Sequence, residues 1–159
     1  MTASDCPDRI ERSIRINGTR DKVWRALTDA GQFGAWFGAD LSGNAFVPGQ
    51  RVRGPMTVPG YEHLFFDAVT ERVEPQELMS FRWHPYSGDP GSDYAGEQPT
   101  LVTFTLQDLP GEGILLTVVE SGFALIPAHR RANAFASHEG GWDAQLNNIA
   151  THVANDVLR

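Results

Sequence analysis

The segment that decides the fold runs from Pro127 to Leu158 and reads PAHRRANAFASHEGGWDAQLNNIATHVANDVL. Its large apolar residues recur at helical spacing, and they are Phe135, Trp142, Leu146, Ile149, Val153 and Val157. At about 100° per residue these side chains form one apolar stripe, and the opposite face is polar. Such a helix must pack its stripe against another element. We therefore predict one long C-terminal helix, from about 128 to 157, lying on the rest of the chain.

The residues before this helix mostly carry strand patterns. Apolar and polar side chains alternate at 10–16, 79–83, 102–106 and 114–120, as in strands with one buried face. Residues 20–28 favour a short helix capped by Thr19, and 32–37 a second helical turn. The expected fold class is α+β, with strands at 9–17, within 40–84 and at 100–121. These strands form a curved antiparallel sheet around the C-terminal helix, in a single domain at 1–159 that starts with a tail at 1–8.

Composition argues against several classes of function. The net charge is −7 over 159 residues, without a basic run, so we expect no nucleic-acid partner. No apolar run approaches the roughly 20 residues that span a bilayer, so we expect no membrane partner. A single cysteine, Cys6, and the lack of a signal-peptide pattern favour a cytoplasmic location. A monomer and a homodimer both remain compatible with the sequence.

Residues 84–99 stand apart from the strands on either side. This stretch is rich in glycine, proline, serine and aspartate, and it is long for a connection in a compact domain. Two interpretations stay open: a lid over a functional site, or a disordered inserted loop.

Five segments in order resemble one known family. They are VWRALTD at 23–29 with the Trp36-Phe37 pair, then 73–83, 102–106, 116–123 and 138–146. They resemble the SRPBCC superfamily, and within it the homologues of the ATPase activator of the ninety-kilodalton heat-shock protein. The resemblance covers about Ile10 to Val153. Residues 84–99 depart from the family pattern, and nothing resembles the separate N-terminal domain of the co-chaperone.

This resemblance implies a helix-grip fold of the START and birch-pollen-allergen type, with an elongated cavity between sheet and helix. It does not imply one activity, because relatives bind lipids or hormones, cyclise polyketides or act as chaperone partners. The fold is thus an expectation, and the function has to be argued from the residues of the site.

Glu120 is the ionisable residue that stands out. Its parity places it on the apolar face of the last strand, with Ile114, Leu116 and Val118. It lies either in water at the end of the strand or inside the cavity. In the cavity, desolvation would raise its pKa and suit it to general acid–base work or to binding a ligand hydroxyl, with His63 and His84 as possible polar partners. Glu120 is therefore the one weak catalytic candidate.

The candidate ligand-binding residues are mostly aromatic side chains and histidines from several of the predicted elements. They are Trp36, Phe37, His63, Phe65, Trp83, Phe104, Glu120, His138, Trp142 and Leu146. Gly140-Gly141 indicate either a kink or close backbone contact, or room for a ligand beside Trp142. His138-Glu139 begins like a zinc motif, but Trp142 stands at the second ligand position, so we expect no metal. No cofactor motif is present in the sequence.

These observations favour a binding protein for a hydrophobic, lipid-like or aromatic small molecule. One alternative is a cofactor-independent cyclase or hydrolase that uses Glu120 and a histidine. Another is a chaperone partner that resembles the activator's C-terminal domain. The sequence carries no recognisable set of catalytic residues, which favours binding over catalysis.

Overall fold

The computed structural model describes residues 8–85 and 97–156. Its helices and strands, in chain order, are β1 (Arg9–Ile16), α1 (Arg20–Thr28), α2 (Ala30–Phe37), β2 (Arg51–Pro55), β3 (Phe65–Glu74), β4 (Leu78–Trp83), β5 (Thr100–Leu109), β6 (Gly113–Ser121) and α3 (Ala128–Asp156). A short 3-10 helix at Phe123–Leu125 connects β6 to α3. The predicted α+β class is confirmed.

The strands form a single antiparallel sheet in the order β1-β6-β5-β4-β3-β2. The first strand therefore lies beside the last one, and the other neighbours are consecutive hairpins. In this register Glu120 of β6 lies between Ile10 of β1 and Val102 of β5. The pairing places Glu120 on a central strand next to an edge strand, facing the same way as the core residues beside it.

The apolar stripe of α3 packs on the concave side of the sheet. Trp142, Leu146, Ile149 and Val153 are buried, and the Phe135 ring lies 5.1 Å from the Phe123 ring. The periodicity that predicted the helix therefore also identified its buried face. The helix continues through the two glycines without an interruption.

Arg12 of β1 reaches from the inner side of the sheet to α3. Its guanidinium pairs with Glu139 at 3.3 Å and with Asp143 at 3.2 Å, two residues one helical turn apart. Partly exposed ion pairs of this kind contribute about 0–1 kcal/mol each. Arg12 therefore orients α3 on β1 more than it stabilises the fold.

Two side-chain caps position α1 and α2. The Thr19 hydroxyl accepts the Lys22 N–H at 3.2 Å, and the Asp29 carboxylate accepts the Gln32 N–H at 3.1 Å. Because Asp29 both ends α1 and caps α2, α2 begins at Ala30, two residues earlier than the sequence pattern indicated. The buried Trp36 indole donates to the Ala26 carbonyl at 2.8 Å and so holds α2 against α1.

The two neighbouring phenylalanines at the start of β3 point to opposite faces of the sheet. Phe66 is buried and contacts the Phe33 ring at 5.5 Å. Phe65 lies on the other face, only partly buried, with the Arg53 guanidinium 4.0 Å from its ring centroid. The sequence left open which of the two faces inward; successive strand side chains alternate, and Phe66 takes the inward position, so Phe65, an expected ligand-binding residue, does not.

Most of the predicted lid or insertion at 84–99 lies outside the described residues, and its structure stays a prediction. Within the described residues, no helix is both long and apolar enough to cross a bilayer.

Candidate functional site

Glu120 is completely buried, with a relative exposure of 0%. Its Oε1 accepts hydrogen bonds from His138 Nδ1 at 2.5 Å and from Trp142 Nε1 at 2.9 Å. Its Oε2 accepts from Trp83 Nε1 at 2.8 Å and from the Thr100 hydroxyl at 2.6 Å. The sequence allowed Glu120 to lie either in water or in the interior, and the structure places it in the interior. Both of its carboxylate oxygens accept hydrogen bonds there.

Local geometry explains how these partners meet. Trp83 and Thr100 are cross-strand partners on β4 and β5, and Thr100 lies diagonally across from Glu120 on the same inward face. His138 and Trp142 are four residues apart on α3, so both side chains project from one side of the helix. Two strands and one helix therefore supply the four donors around the carboxylate that β6 carries.

The pKa of Glu120 lies below its ordinary value. Burial is the strongest single influence and acts to raise the pKa, but other interactions outweigh it. These are the hydrogen bond and charge of His138, followed by the hydrogen bonds from Thr100 and Trp83. This corrects the expectation that an interior Glu120 would have a raised pKa: desolvation is present, yet the donors favour the carboxylate more strongly.

Replacing Thr100 with valine tests this account of the carboxylate. An acid whose pKa is lower in the folded chain stabilises the fold above its unfolded pKa, near 4.5, and this contribution is lost as pH falls through the folded value. Thr100→Val removes one donor and raises the folded pKa. We expect a loss of about 1.5–3 kcal/mol at neutral pH and a smaller fall in stability on acidification.

Urea unfolding at a series of pH values, followed by tryptophan fluorescence, measures both effects. Thr103→Val is the matched control, because Thr103 lies on the same strand with its side chain on the other face. Identical stability and pH dependence in the two valine variants would contradict the role assigned to Thr100.

A pocket of about 210 Å³ opens beside this cluster. Phe37, Trp83 and Trp142 form its aromatic walls, and Ser137, His138, Gly141 and Gln145 complete it. The rings of Trp83 and Trp142 are stacked, with centroids 5.9 Å apart and 26° between their planes. The pocket therefore offers flat apolar surfaces and one imidazole, the other edge of which is hydrogen-bonded to Glu120.

Gly140 and Gly141 have different roles at this pocket. A methyl group at either position would meet no described atom within 4 Å, so neither glycine is required by a close backbone contact. Gly141 lines the pocket and Gly140 does not. Of the interpretations left open by the sequence, the structure supports room beside Trp142, at Gly141.

The structure brings together only some of the residues expected to line a cavity. Phe37, Trp83, His138 and Trp142 line the pocket, and Glu120 lies directly behind it. Trp36, Phe104 and Leu146 are buried in the core.

Two expected residues lie elsewhere in the fold. His63 is exposed in the connection between β2 and β3, and Phe65 lies on the outer face of the sheet. Between the sheet and the helices, where an elongated cavity was implied, Phe33, Phe81 and Phe104 are completely buried and pack on one another, with ring centroids 6.2–6.4 Å apart.

Sequence reasoning missed Thr100, Ser137 and Gln145. Extending the alternation of Phe104 and Val102 back by two residues would have placed Thr100 on the inward face. Ser137 and Gln145 carry no comparable signal, because their pocket position depends on where α3 lies against α2. Gln145 donates to the Phe37 carbonyl at 3.0 Å, which joins these two helices at the pocket.

The described residues contain no group of three or more His, Cys, Asp and Glu side chains placed to hold a metal ion. The ionisable groups at the site are the carboxylate and the imidazole of one hydrogen-bonded pair. What this arrangement can do chemically is bind a flat molecule and accept or donate a proton at one ring nitrogen.

The curved antiparallel sheet, the two short helices and the long C-terminal helix define a helix-grip domain of the SRPBCC type. The chain belongs to the family described as "Activator of Hsp90 ATPase homolog 1-like protein", whose model matches residues 17–154. The family resemblance seen in the sequence is thereby confirmed. No curated protein shows a significant match to this chain.

Solved structures with the same fold include three with low sequence identity. DynU16, described as a putative protein in the dynemicin biosynthetic locus, is 24% identical with a TM-score of 0.69; the match covers 92% of this chain and 47% of DynU16. Protein MLL2253 from Mesorhizobium loti is 22% identical with a TM-score of 0.71, and the match covers 92% of this chain and 97% of MLL2253. A protein from Arthrobacter aurescens is 15% identical with a TM-score of 0.74, and the match covers 93% of this chain and 87% of that protein.

This chain thus spans about half the length of DynU16 and nearly all of MLL2253. At these sequence identities, the similarity to the solved structures establishes the fold and does not identify a ligand.

Proposed function

We propose that this protein binds a compact aromatic small molecule in the pocket beside His138. The observation that carries the proposal is the pairing of three aromatic walls with one imidazole in a pocket of about 210 Å³. Small-molecule sites are mostly apolar, with a few polar groups that orient the ligand. Aromatic rings favour stacked or edge-on contacts with other rings, so Trp83 and Trp142 suit a flat ligand.

The size of the pocket favours a ring system over an acyl chain. Its volume lies below the roughly 300–1,000 Å³ of typical ligand sites. One or two fused rings match this space, whereas a long lipid chain would have to displace core side chains such as Phe81 and Phe104, both completely buried. Of the lipid-like and aromatic ligands that the sequence left open, the pocket supports the aromatic class.

The two helix glycines provide a matched test. Gly140→Ala and Gly141→Ala each replace a helical glycine without a steric clash, so each is expected to stabilise the fold by about 1 kcal/mol. Only Gly141→Ala adds a methyl group to the pocket. We expect this variant to bind para-nitroanisole at least tenfold more weakly than the wild type, whereas Gly140→Ala binds it unchanged.

Calorimetric titration measures the affinities, and thermal unfolding verifies the folding of both variants. A fluorescent fatty-acid analogue serves as the comparison ligand, and we expect it to bind more weakly than para-nitroanisole. The proposal fails if the wild type does not bind the aromatic probe, or if both alanine variants bind it as the wild type does.

A second candidate function is a cofactor-independent enzyme, and the hydrogen bond between Glu120 and His138 favours it. A buried carboxylate that accepts from one imidazole nitrogen orients the ring and stabilises it when the other nitrogen takes a proton. His138 would be the base. Glu120, whose oxygens accept from four donors, would be a positioning residue, and not the catalytic residue for which it was a weak candidate in the sequence.

Turnover distinguishes this enzyme from a binding protein. In nitrobenzisoxazole, removal of the carbon-bound ring proton breaks the N–O bond and leaves a phenolate and a nitrile. Faster ring opening with the wild type than with His138→Gln would support catalysis. The remaining expectation, a chaperone partner, draws its support from the family description alone.

A further inference from the structure

The four donors at Glu120 determine where the proton of the pair resides. Both indole N–H groups can only donate, and one of them occupies each carboxylate oxygen. With its lowered pKa, Glu120 is ionised at neutral pH. His138 Nδ1 therefore carries the proton that it shares with Oε1. Nδ1 is thus used in the hydrogen bond to Glu120, and Nε2, on the opposite edge of the neutral ring, is a hydrogen-bond acceptor.

His138 Nε2 is the ring nitrogen that this arrangement leaves for the pocket, whose other polar lining residues are Ser137 and Gln145. The His138 side chain is 19% exposed, and within the described part of the chain Nε2 has no hydrogen-bond partner. The Gln145 amide donates one N–H to the Phe37 carbonyl, and its oxygen accepts from Asn148. A ligand that fills the pocket is thus expected to place one polar atom at Nε2.

The charges around His138 leave the Glu120 carboxylate as its one ionic partner among the described residues. Glu139, the next residue on α3, pairs with Arg12 of β1. The groups that face the imidazole from β4 and α3, Trp83 and Trp142, are neutral. Because the nearest charge to the imidazole is the Glu120 carboxylate, a proton received at Nε2 is balanced by that carboxylate.

We infer that the site recognises an aromatic molecule with a weakly acidic hydroxyl group, a phenol or an enol, and holds it with its proton shifted toward His138. This inference rests on the proposed aromatic-binding function. The ligand O–H donates to Nε2; on transfer, the O–H bond breaks, an N–H bond forms, and the oxygen keeps the electron pair. The imidazolium then lies between two anions, the ligand oxygen and Glu120, each of which stabilises it.

The number of donors in the pocket distinguishes a hydroxyl from other oxygen groups. A phenol brings one oxygen to one nitrogen. A carboxylate brings a full charge close to the buried Glu120 carboxylate, and its two oxygens can accept more hydrogen bonds than His138 Nε2 and the Ser137 hydroxyl can donate, so burying it is costly. An ether has no proton to give, so Nε2 of neutral imidazole remains unsatisfied beside it. The geometry therefore favours a hydroxyl over both.

Titration of bound para-nitrophenol tests the inference, because its phenolate absorbs visible light and its neutral form does not. We expect the wild type to lower the apparent pKa of the bound probe by at least about one unit, a tenfold change in ionisation. His138→Gln is expected to abolish this shift. His152→Gln is the matched control on the same helix, since His152 contacts Gln32 away from the pocket.

Para-nitroanisole lacks the hydroxyl, so its binding tests the aromatic pocket separately from the recognition of a hydroxyl group. Its binding to His138→Gln shows that the variant keeps a folded pocket. If the wild type binds both probes but leaves the phenol's ionisation unchanged, the inference is overturned and the binding function stands. If para-nitrobenzoate binds more tightly than para-nitrophenol, the hydroxyl assignment is overturned. Binding of none of the probes overturns the proposed function and the inference together.

Discussion

Replacing Glu120 with glutamine is expected to lower the free energy of unfolding by about 3–5 kcal/mol, as when one member of a buried charged pair is removed. Each oxygen of Glu120 accepts one indole N–H, from Trp142 on Oε1 and from Trp83 on Oε2. Glutamine carries an NH2 group in place of one oxygen. Either orientation of the amide therefore sets its NH2 group against an indole donor, although the side chain keeps its shape.

Urea unfolding of Glu120→Gln and the wild type measures this loss. The control is Glu112→Gln, an exposed position in the hairpin between β5 and β6, where a change within about 0.5 kcal/mol is expected. A Glu120→Gln variant that unfolds at the same urea concentration as the wild type would show that the carboxylate is not the acceptor described here.

Replacing Trp142 with alanine is expected to cost about 3–5 kcal/mol, the range for a large buried aromatic side chain. Trp142 is 3% exposed, and its ring lies 5.9 Å from the Trp83 ring and 5.7 Å from the Phe104 ring. Domains of this size have about 5–15 kcal/mol of stability in total. Each kcal/mol corresponds to about 2–4 °C, so thermal unfolding should show a large drop.

Trp142→Phe separates packing from hydrogen bonding at the same position. Phenylalanine keeps an aromatic ring but removes the N–H that donates to Glu120, and a hydrogen bond to a charged group contributes about 1.5–3 kcal/mol. Trp24→Phe is the control, because the indole N–H of this partly buried residue has no hydrogen bond within the described residues. Equal losses in the two phenylalanine variants would contradict a specific role for the Trp142 N–H.

Much of the fold could be predicted because it depends on patterns within each element. The spacing of Trp142, Leu146, Ile149 and Val153 identified α3 and its buried face. The parity of Glu120 with its apolar neighbours on β6 identified a carboxylate on the inward side of the sheet. Periods of 3.6 and 2 residues follow from backbone geometry, so these features are readable without knowing which elements are neighbours.

The candidate site was only partly predictable, because its residues are distant in the sequence. Glu120 was singled out with His63 and His84 as possible partners, whereas the structure pairs it with His138. His138 and Trp142 had been expected to bind a ligand. That Trp83 and Thr100 also converge on this carboxylate depends on strand order and register. No local pattern specifies these, since they follow from the burial of apolar surface over the whole chain.

By itself, the sequence determined the elements, their buried faces and the presence of an acid on an apolar face. Only the tertiary structure decided that β1 lies beside β6, that Phe66 and not Phe65 faces the core, and that Glu120 has a lowered pKa. The physical reason is that periodicity is a property of one segment. The pKa of a buried acid, in contrast, is the balance between desolvation and donors that separate segments bring to it.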